Sequence, residues 1–218
     1  MHTKVKFCGF TQIQSILEAI ELGADYLGFV FVHKSKRFVD ADKLKEIMNF
    51  FKEYPQIRAS DSGNNVKIVA LFVDPSREYV KSIVKILQPD ILQFHGSEDA
   101  AFCRSFKCAY IKAVPLGSDQ ANWVDYEKTY HDAYALLADS HDGTSLGGSG
   151  LSFDWSKIPA KYYRTLPLFL AGGLDESNVK AAILKCFPEG VDVSSGIEVA
   201  TGIKSYERMG KFILAVKK

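Results

Sequence analysis

The 218-residue chain lacks the features that mark membrane or nucleic-acid-binding proteins. No apolar run approaches the roughly 20 residues of a membrane-spanning helix. The formal net charge is only +1 and both signs are interspersed, so the chain has neither a basic stripe for nucleic acid nor an acidic tail. The N-terminus leads straight into a predicted strand, without the apolar segment of a signal peptide. We therefore expect a cytoplasmic protein that binds neither membranes nor nucleic acids.

Cysteine is scarce, and its positions argue against a zinc site. Cys8, Cys103, Cys108 and Cys186 do not show the paired spacing of zinc ligands. His95 follows a predicted strand, but no second histidine or carboxylate stands near it at ligand spacing. We therefore expect no metal, and free thiols are typical of a reduced, cytosolic setting.

Short apolar segments alternate with helical patterns along the chain, which predicts a parallel sheet. The eight predicted strands begin at residues 5, 26, 67, 91, 109, 135, 168 and 191. Eight units of about 27 residues fit a small (β/α)8 TIM barrel, formed as a single domain by residues 1–218. A doubly wound open sheet is the alternative, but it usually has fewer strands and a glycine fingerprint that Gly9-Phe10-Thr11 does not supply.

Local signals predict where several helices begin. Thr11 and Gln14 form a capping-box pattern, and Asp74 followed by Pro75 predicts another helix start. After the sixth strand only residues 154–158 remain for a helix, so this helix is predicted to be short or absent.

The first strand places a thiol at its C-terminal tip. Side chains alternate along a strand, so Lys6 and Cys8 share one face and Val5 and Phe7 the other. If Val5 and Phe7 pack against helices, Lys6 and Cys8 face the barrel interior. Cys8 is then either a small buried apolar residue or a thiolate base or nucleophile whose pKa a nearby cation lowers.

Carboxylates lie at the ends of two other strands, where barrel enzymes keep their chemistry. Asp139 closes the sixth strand, either as a turn residue or as a general acid opposite Cys8. Asp192 points inward on the eighth strand, either in an ion pair with Lys6 or against a substrate hydroxyl. One acid and one base across a barrel mouth are suited to proton-transfer catalysis.

Further polar groups follow strands two and four. Gln93 and His95 lie at the end of the fourth strand. Arg37 lies just beyond the second, either as an exposed charge or as a clamp for a substrate carboxylate.

Glycines follow the last two strands, where barrels often bind phosphate through backbone N–H groups. Gly172 and Gly173 follow strand seven, and Ser194, Ser195 and Gly196 follow strand eight. A single glycine pair would indicate only a tight turn, but the pattern at both strands predicts a phosphate site.

Six sequence blocks in this order resemble phosphoribosylanthranilate isomerase, a family of tryptophan biosynthesis. They are Lys6-Phe7-Cys8-Gly9; Gly28-Phe29-Val30-Phe31 with Lys34-Ser35-Lys36-Arg37; Gln93-Phe94-His95-Gly96; Gly147-Gly148-Ser149-Gly150 with Phe153-Asp154-Trp155; Leu170-Ala171-Gly172-Gly173-Leu174; and Asp192-Val193-Ser194-Ser195-Gly196-Ile197-Glu198. The resemblance covers nearly the whole chain. Departures such as Lys36 for a common proline, or Ala200-Thr201-Gly202 for a proline-glycine turn, remove no chemical group.

The resemblance implies an Amadori rearrangement of N-(5-phosphoribosyl)anthranilate without metal or organic cofactor. It implies Asp139 as general acid and Cys8 as general base, with Arg37 on the anthranilate carboxylate. Backbone N–H groups of Gly172, Gly173, Ser195 and Gly196 would hold the phosphate. Gln93, His95 and Asp192 complete the predicted substrate-binding set. The partner is a small phosphosugar-anthranilate substrate, and the protein is expected to be a monomer or homodimer.

Two other functions remain open on the residues. A metal-dependent pentose-phosphate epimerase would need inward-facing histidines and carboxylates, whereas His95 stands alone. A catalytically silent phosphate sensor on the same fold would need neither Cys8 nor Asp139.

Overall fold

Parallel strands close into a barrel in the order in which they occur along the chain. The structure, a computed structural model, describes residues 3–57, 65–118, 121–140 and 154–217. Within these residues the barrel has eight strands, as predicted. They are β1 (Lys4–Cys8), β2 (Tyr26–Val30), β3 (Lys67–Phe72), β4 (Ile91–Phe94), β5 (Ala109–Pro115), β6 (Ala135–Asp139), β7 (Leu168–Leu170) and β8 (Gly190–Val193). A short antiparallel hairpin, β9 (Glu198–Ala200) and β10 (Ile203–Lys204), follows β8.

Helices cover the outside of the barrel between the strands. They are α1 (Ile13–Glu21), α2 (Ala41–Glu53), α3 (Arg77–Leu87), α4 (Ala100–Arg104), α5 (Trp123–Thr129), α6 (Val179–Cys186) and α7 (Tyr206–Lys217). The described part of the connection after β6 contains only the short 3₁₀ turns Trp155–Lys157 and Lys161–Tyr163. The prediction of a short or absent helix there is confirmed for these residues, and the glycine-rich segment 141–153 lies outside the described part.

Strand alternation divides the core into two layers. Val5 and Phe7 face the helices, where the Phe7 ring meets the edge of Phe212 at 6.0 Å between centroids. Lys6 is fully buried on the opposite face, inside the barrel. The lower interior is filled by apolar side chains such as Val69 and Phe169. The prediction that Lys6 and Cys8 face the interior is therefore confirmed.

Two predicted helix starts are wrong, because Thr11 and Asp74 bond instead to loops that are distant in sequence. Helix α1 has Gln12 as its N-cap without a side-chain capping bond, and the Thr11 hydroxyl donates to the carbonyl of Gly202 at 2.7 Å. Ser76, not Asp74, caps α3, and Asp74 has the left-handed φ of 44°. These tertiary bonds join neighbouring loops at the barrel mouth.

Phe94 occupies the centre of the aromatic layer between the barrel and α4. It is fully buried, with ring centroids 5.8 Å from Phe102, 5.9 Å from Phe106 and 6.2 Å from Phe72. We expect Phe94→Ala to lower the free energy of unfolding by about 3–5 kcal/mol, measured by urea denaturation, because it leaves a cavity. Leu184→Ala, at a 63% exposed helix position, is the control. An equal loss in both variants would contradict this assignment of the core.

Candidate active site

A cleft that opens to solvent lies at the C-terminal mouth of the barrel. It brings together every site residue predicted from sequence except Gly196. Those lining it are Cys8, Arg37, Gln93, His95, Asp139, Gly172, Gly173, Asp192 and Ser195. Its apolar wall includes Val30, Leu71 and Leu174. Polar groups converge on this cleft from six strands or strand ends, as they do in ligand-binding sites.

At the floor of the cleft, Lys6 and Asp192 form a buried ion pair between β1 and β8. Lys6 Nζ lies 2.8 Å from Asp192 Oδ1, and the two side chains are 0% and 9% exposed. Burial lowers the pKa of Lys6, but attraction to Asp192 and Cys8 outweighs it and leaves that pKa raised. Of the two roles considered for Asp192, the structure shows the ion pair.

The Cys8 thiol lies above this pair at the tip of β1. Burial raises its pKa above the ordinary 9.0, and the nearby Asp192 charge acts in the same direction. Lys6 and Lys204 oppose the shift, because a cation favours the thiolate. Lys6 therefore lowers the pKa of Cys8 as predicted, but the desolvation of the thiol raises this pKa by more.

Asp139 is held in place by a chain of hydrogen bonds that begins on β4. His95 Nε2 lies 2.8 Å from Asp139 Oδ2, and Gln93 Nε2 lies 3.1 Å from His95 Nδ1. The other carboxylate oxygen accepts the Ser140 amide at 2.7 Å. All three side chains are buried. The sequence predicts Gln93 and His95 as substrate contacts but does not predict their link to Asp139. The two residues are two positions apart at the end of β4, so their side chains point the same way, and this alternation was the available indication that they interact.

This chain is compatible with Asp139 in either protonation state. When Asp139 is ionised, His95 donates from Nε2 and accepts the Gln93 amide at Nδ1. When Asp139 is protonated, it donates to Nε2, and Nδ1–H then needs an acceptor. Gln93 Oε1 is buried without a hydrogen-bond partner among the described residues, and rotation of the amide would present it to Nδ1.

The loops after β7 and β8 form a further part of the cleft wall. Gly172 and Gly173 have φ values of +84° and +62°, which favour glycine. A Cβ on Gly172 would lie 2.7 Å from the Ser140 amide nitrogen, so the β7 loop approaches the β6 loop closely there. Gly196 lies behind this wall, where a Cβ would be 2.1 Å from the Leu174 carbonyl oxygen.

Arg37 lines the cleft but is anchored from behind by residues that sequence reasoning missed. Its Nε and Nη2 donate to Glu198 Oε1 and Oε2 at 2.8 and 2.7 Å. Lys204, fully buried at its side chain, donates to Glu198 at 2.7 Å and to the Ser194 carbonyl at 3.0 Å. The network ties Arg37 to the β8 loop, and Nη1 is the remaining guanidinium nitrogen.

The family model described as N-(5'phosphoribosyl)anthranilate (PRA) isomerase matches residues 5–215. The chain belongs to this family. An isomerase of this name from Xanthomonas euvesicatoria is 41% identical over 221 residues, covering 99% of this chain and 94% of that protein. One from Legionella pneumophila is 39% identical over 214 residues, covering 98% and 96%.

Solved phosphoribosylanthranilate isomerase structures share the fold. The enzyme from Thermotoga maritima aligns with a TM-score of 0.81 and 33% identity, over 99% of this chain and 98% of that chain. A further isomerase structure, in complex with reduced 1-(o-carboxyphenylamino)-1-deoxyribulose 5-phosphate, aligns with a TM-score of 0.77 and 31% identity over the same shares.

The described residues contain no group of three or more His, Cys, Asp or Glu side chains that could hold a metal ion. None of the helices in this part of the chain has the length and apolar character needed to cross a membrane.

We expect the Cys8 thiol to titrate above pH 9.0, because burial disfavours its charged form. The thiolate absorbs near 240 nm, so a pH titration of the wild type minus that of Cys8→Ala isolates this thiol from the other three. The difference absorbance should increase only at alkaline pH. An inflection below pH 9.0 would show instead that the attraction of the thiolate to Lys6 and Lys204 outweighs the effect of burial on the Cys8 pKa.

Proposed function

We propose that the protein converts N-(5-phosphoribosyl)anthranilate into 1-(2-carboxyphenylamino)-1-deoxyribulose 5-phosphate, with Asp139 as general acid and Cys8 as general base. The observation that carries this assignment is their placement. Both side chains line one cleft, from β6 and β1, with the glycine loops of β7 and β8 beside them. An isomerase of the family, active in tryptophan biosynthesis, needs such an acid and base around one sugar.

In the proposed first step, protonated Asp139 gives its proton to the ring oxygen of the ribose. The C1–O bond breaks, and the anthranilate nitrogen supplies an electron pair to form an iminium at C1. The Gln93–His95 chain positions the carboxyl group. The Ser140 amide, which donates to Oδ1, stabilises the carboxylate that remains after the proton has left. We therefore assign Gln93 and His95 a role through Asp139 in addition to the predicted contact with substrate.

In the second step, the Cys8 thiolate removes the proton from C2. The electron pair of the C–H bond moves toward the iminium nitrogen and gives an enolamine, which tautomerises to the ketone. The iminium is the electron sink, so the chemistry needs no organic cofactor. Because the base is a thiolate, kcat/KM is expected to fall as the pH decreases below the Cys8 pKa.

The rest of the cleft supports binding of the two ends of the substrate. The left-handed turns at Gly172 and Gly173 let backbone N–H groups approach a phosphate, together with Ser195. Gly196 contributes its N–H or only permits the close packing against Leu174. Arg37, through Nη1, takes the anthranilate carboxylate, and Asp192 contacts a sugar hydroxyl beside Lys6.

Cellular setting and assembly belong to the proposal as well. All four cysteines are free, which supports a reducing cytoplasm as the place of action. We propose a monomer or homodimer, and one neighbour is described as a monomer generated from the dimeric isomerase of Thermotoga maritima. The metal-dependent epimerase is set aside because the chain belongs to the isomerase family.

We expect Cys8→Ala and Asp139→Asn each to lower kcat by on the order of a hundredfold or more, the scale of general acid–base catalysis. The loss of anthranilate fluorescence with freshly generated substrate measures turnover. Cys186→Ala, a buried thiol on α6, is the matched control and should retain kcat. Unchanged turnover in either variant would remove that residue from its role, and an inactive wild type that still binds phosphate would favour the sensor.

Inorganic phosphate should inhibit competitively, and Gly173→Ala should weaken this inhibition by roughly tenfold. An alanine at the φ of +62° costs about 1–2 kcal/mol and shifts the backbone N–H groups of the loop. Steady-state kinetics at increasing phosphate concentration separate an effect on phosphate binding from an effect on turnover. KM and the inhibition constant should rise together while kcat changes little. A loss confined to kcat would place the phosphate elsewhere.

A further inference from the structure

A buried ion pair lies outside the barrel wall, behind the loop that carries His95. Lys112 is on β5, but it faces the helices, opposite to Ile111 and Ala113, which line the interior. Its Nζ lies 3.2 Å from Glu98 Oε2, and the two side chains are only 1% and 3% exposed. The proposed reaction does not use either group. Burying two charges is costly, and such pairs often add little to stability, so this pair calls for another explanation.

The Lys112 ammonium donates hydrogen bonds to the backbone carbonyls of the two residues that flank His95. Its Nζ donates to the carbonyl oxygens of Phe94, at 3.5 Å, and of Gly96. With Glu98 as the third acceptor, these contacts match the three N–H donors of an ammonium group. The Tyr130 ring, 5.7 Å away, adds a cation–π contact. The backbone around His95 is thereby tied to β5.

The Glu98 carboxylate ties the same loop to β3. Oε2 accepts the Gly96 amide at 3.0 Å and Oε1 accepts the Asp74 amide at 2.8 Å. Asp74 in turn accepts the Ser97 amide at 2.6 Å. The loop has little freedom to shift, since a Cβ on Gly96 would lie 2.4 Å from Asp74 Oδ1. Lys112 on β5 and the loops after β3 and β4 are therefore joined around one carboxylate.

His95 extends from this loop to Asp139, 2.8 Å from Nε2 to Oδ2. Hydrogen bonds weaken steeply with distance and angle, and catalytic groups need placement to about 0.5 Å. We propose that the Lys112–Glu98 ion pair positions His95, and through it Asp139, for the acid step. Lys112 and Glu98 are positioning residues in this view. The inference rests on the proposed function, because it assumes that His95 acts on Asp139.

The test is a double-mutant cycle between the ion pair and His95. Lys112→Met/Glu98→Gln removes both charges together, since removing one partner would leave a buried charge unpaired. This double variant is made in the wild-type protein and in the His95→Asn variant. We expect kcat to fall about tenfold in the wild-type background and less than about twofold further in His95→Asn, the non-additivity of groups that act as a unit. Inhibition by inorganic phosphate should not change, because the phosphate loops belong to β7 and β8.

Lys67→Met is the matched control. Lys67 lies at the other end of the barrel, where Nζ donates to the Tyr134 hydroxyl at 3.2 Å, and its replacement should leave kcat unchanged. If the double variant does not fold, Tyr130→Phe provides a milder change, because it removes the hydroxyl that donates to the Glu98 carbonyl at 2.9 Å. Its smaller loss of kcat should also disappear in His95→Asn.

Three outcomes would overturn the inference. If kcat decreased by the same factor in both backgrounds, the ion pair would act independently of His95. If kcat did not change in folded variants, the ion pair would have no role in turnover. Normal turnover by His95→Asn itself would remove the assumed link to Asp139. An inactive wild type would contradict the proposed function instead, so the two failures are distinguishable.

Discussion

A charge inside the barrel must have a partner, and the Lys6–Asp192 ion pair meets this requirement at the seam that closes the barrel. The two residues are opposite each other in the β1–β8 register, so the pair specifies which side chains meet across the seam. Cys8 and Ser194 follow two residues later on the same faces, and the Ser194 hydroxyl donates to the Cys8 carbonyl at 3.0 Å. The thiol and the β8 loop are thus placed by one buried contact below them.

Two polar groups at the mouth, Arg37 and Asp139, are each held in place by hydrogen bonds from neighbouring side chains. Arg37 is held by Glu198, which is held by Lys204, and Lys204 also bonds to the β8 loop. Asp139 is held by the hydrogen-bond chain from β4. In both cases the group offered to a ligand keeps one geometry because its other hydrogen-bonding atoms are occupied. This preorganisation is what a proton-transfer site requires.

Most of the fold and the candidate cleft could be predicted from sequence because both follow from local periodicity. Alternation along short strands gave the inward faces of Lys6, Cys8 and Asp192, and parallel strands bring their carboxyl ends to one mouth. The ion pair between Lys6 and Asp192 followed from the same alternation, but the side chains that hold Arg37 and Asp139 could not be predicted in this way. Glu198 meets Arg37 across 161 residues of sequence, a pairing without local signal. The failed capping assignments share this cause, since Thr11 bonds across 191 residues to Gly202.

In the proposed mechanism, the buried Cys8 thiol must meet two opposing demands on a base. Desolvation raises the Cys8 pKa, which reduces the thiolate fraction at neutral pH but makes each thiolate a stronger base. Lys6 and Lys204 counter the loss of thiolate, and both are themselves held by carboxylates, so their charges stay near the sulfur in one geometry. Removing a proton next to an iminium is already favoured by the electron sink. In the proposed mechanism, a thiol that is largely protonated at neutral pH can therefore still serve in the second proton transfer, because each thiolate that forms is a strong base beside two fixed cations.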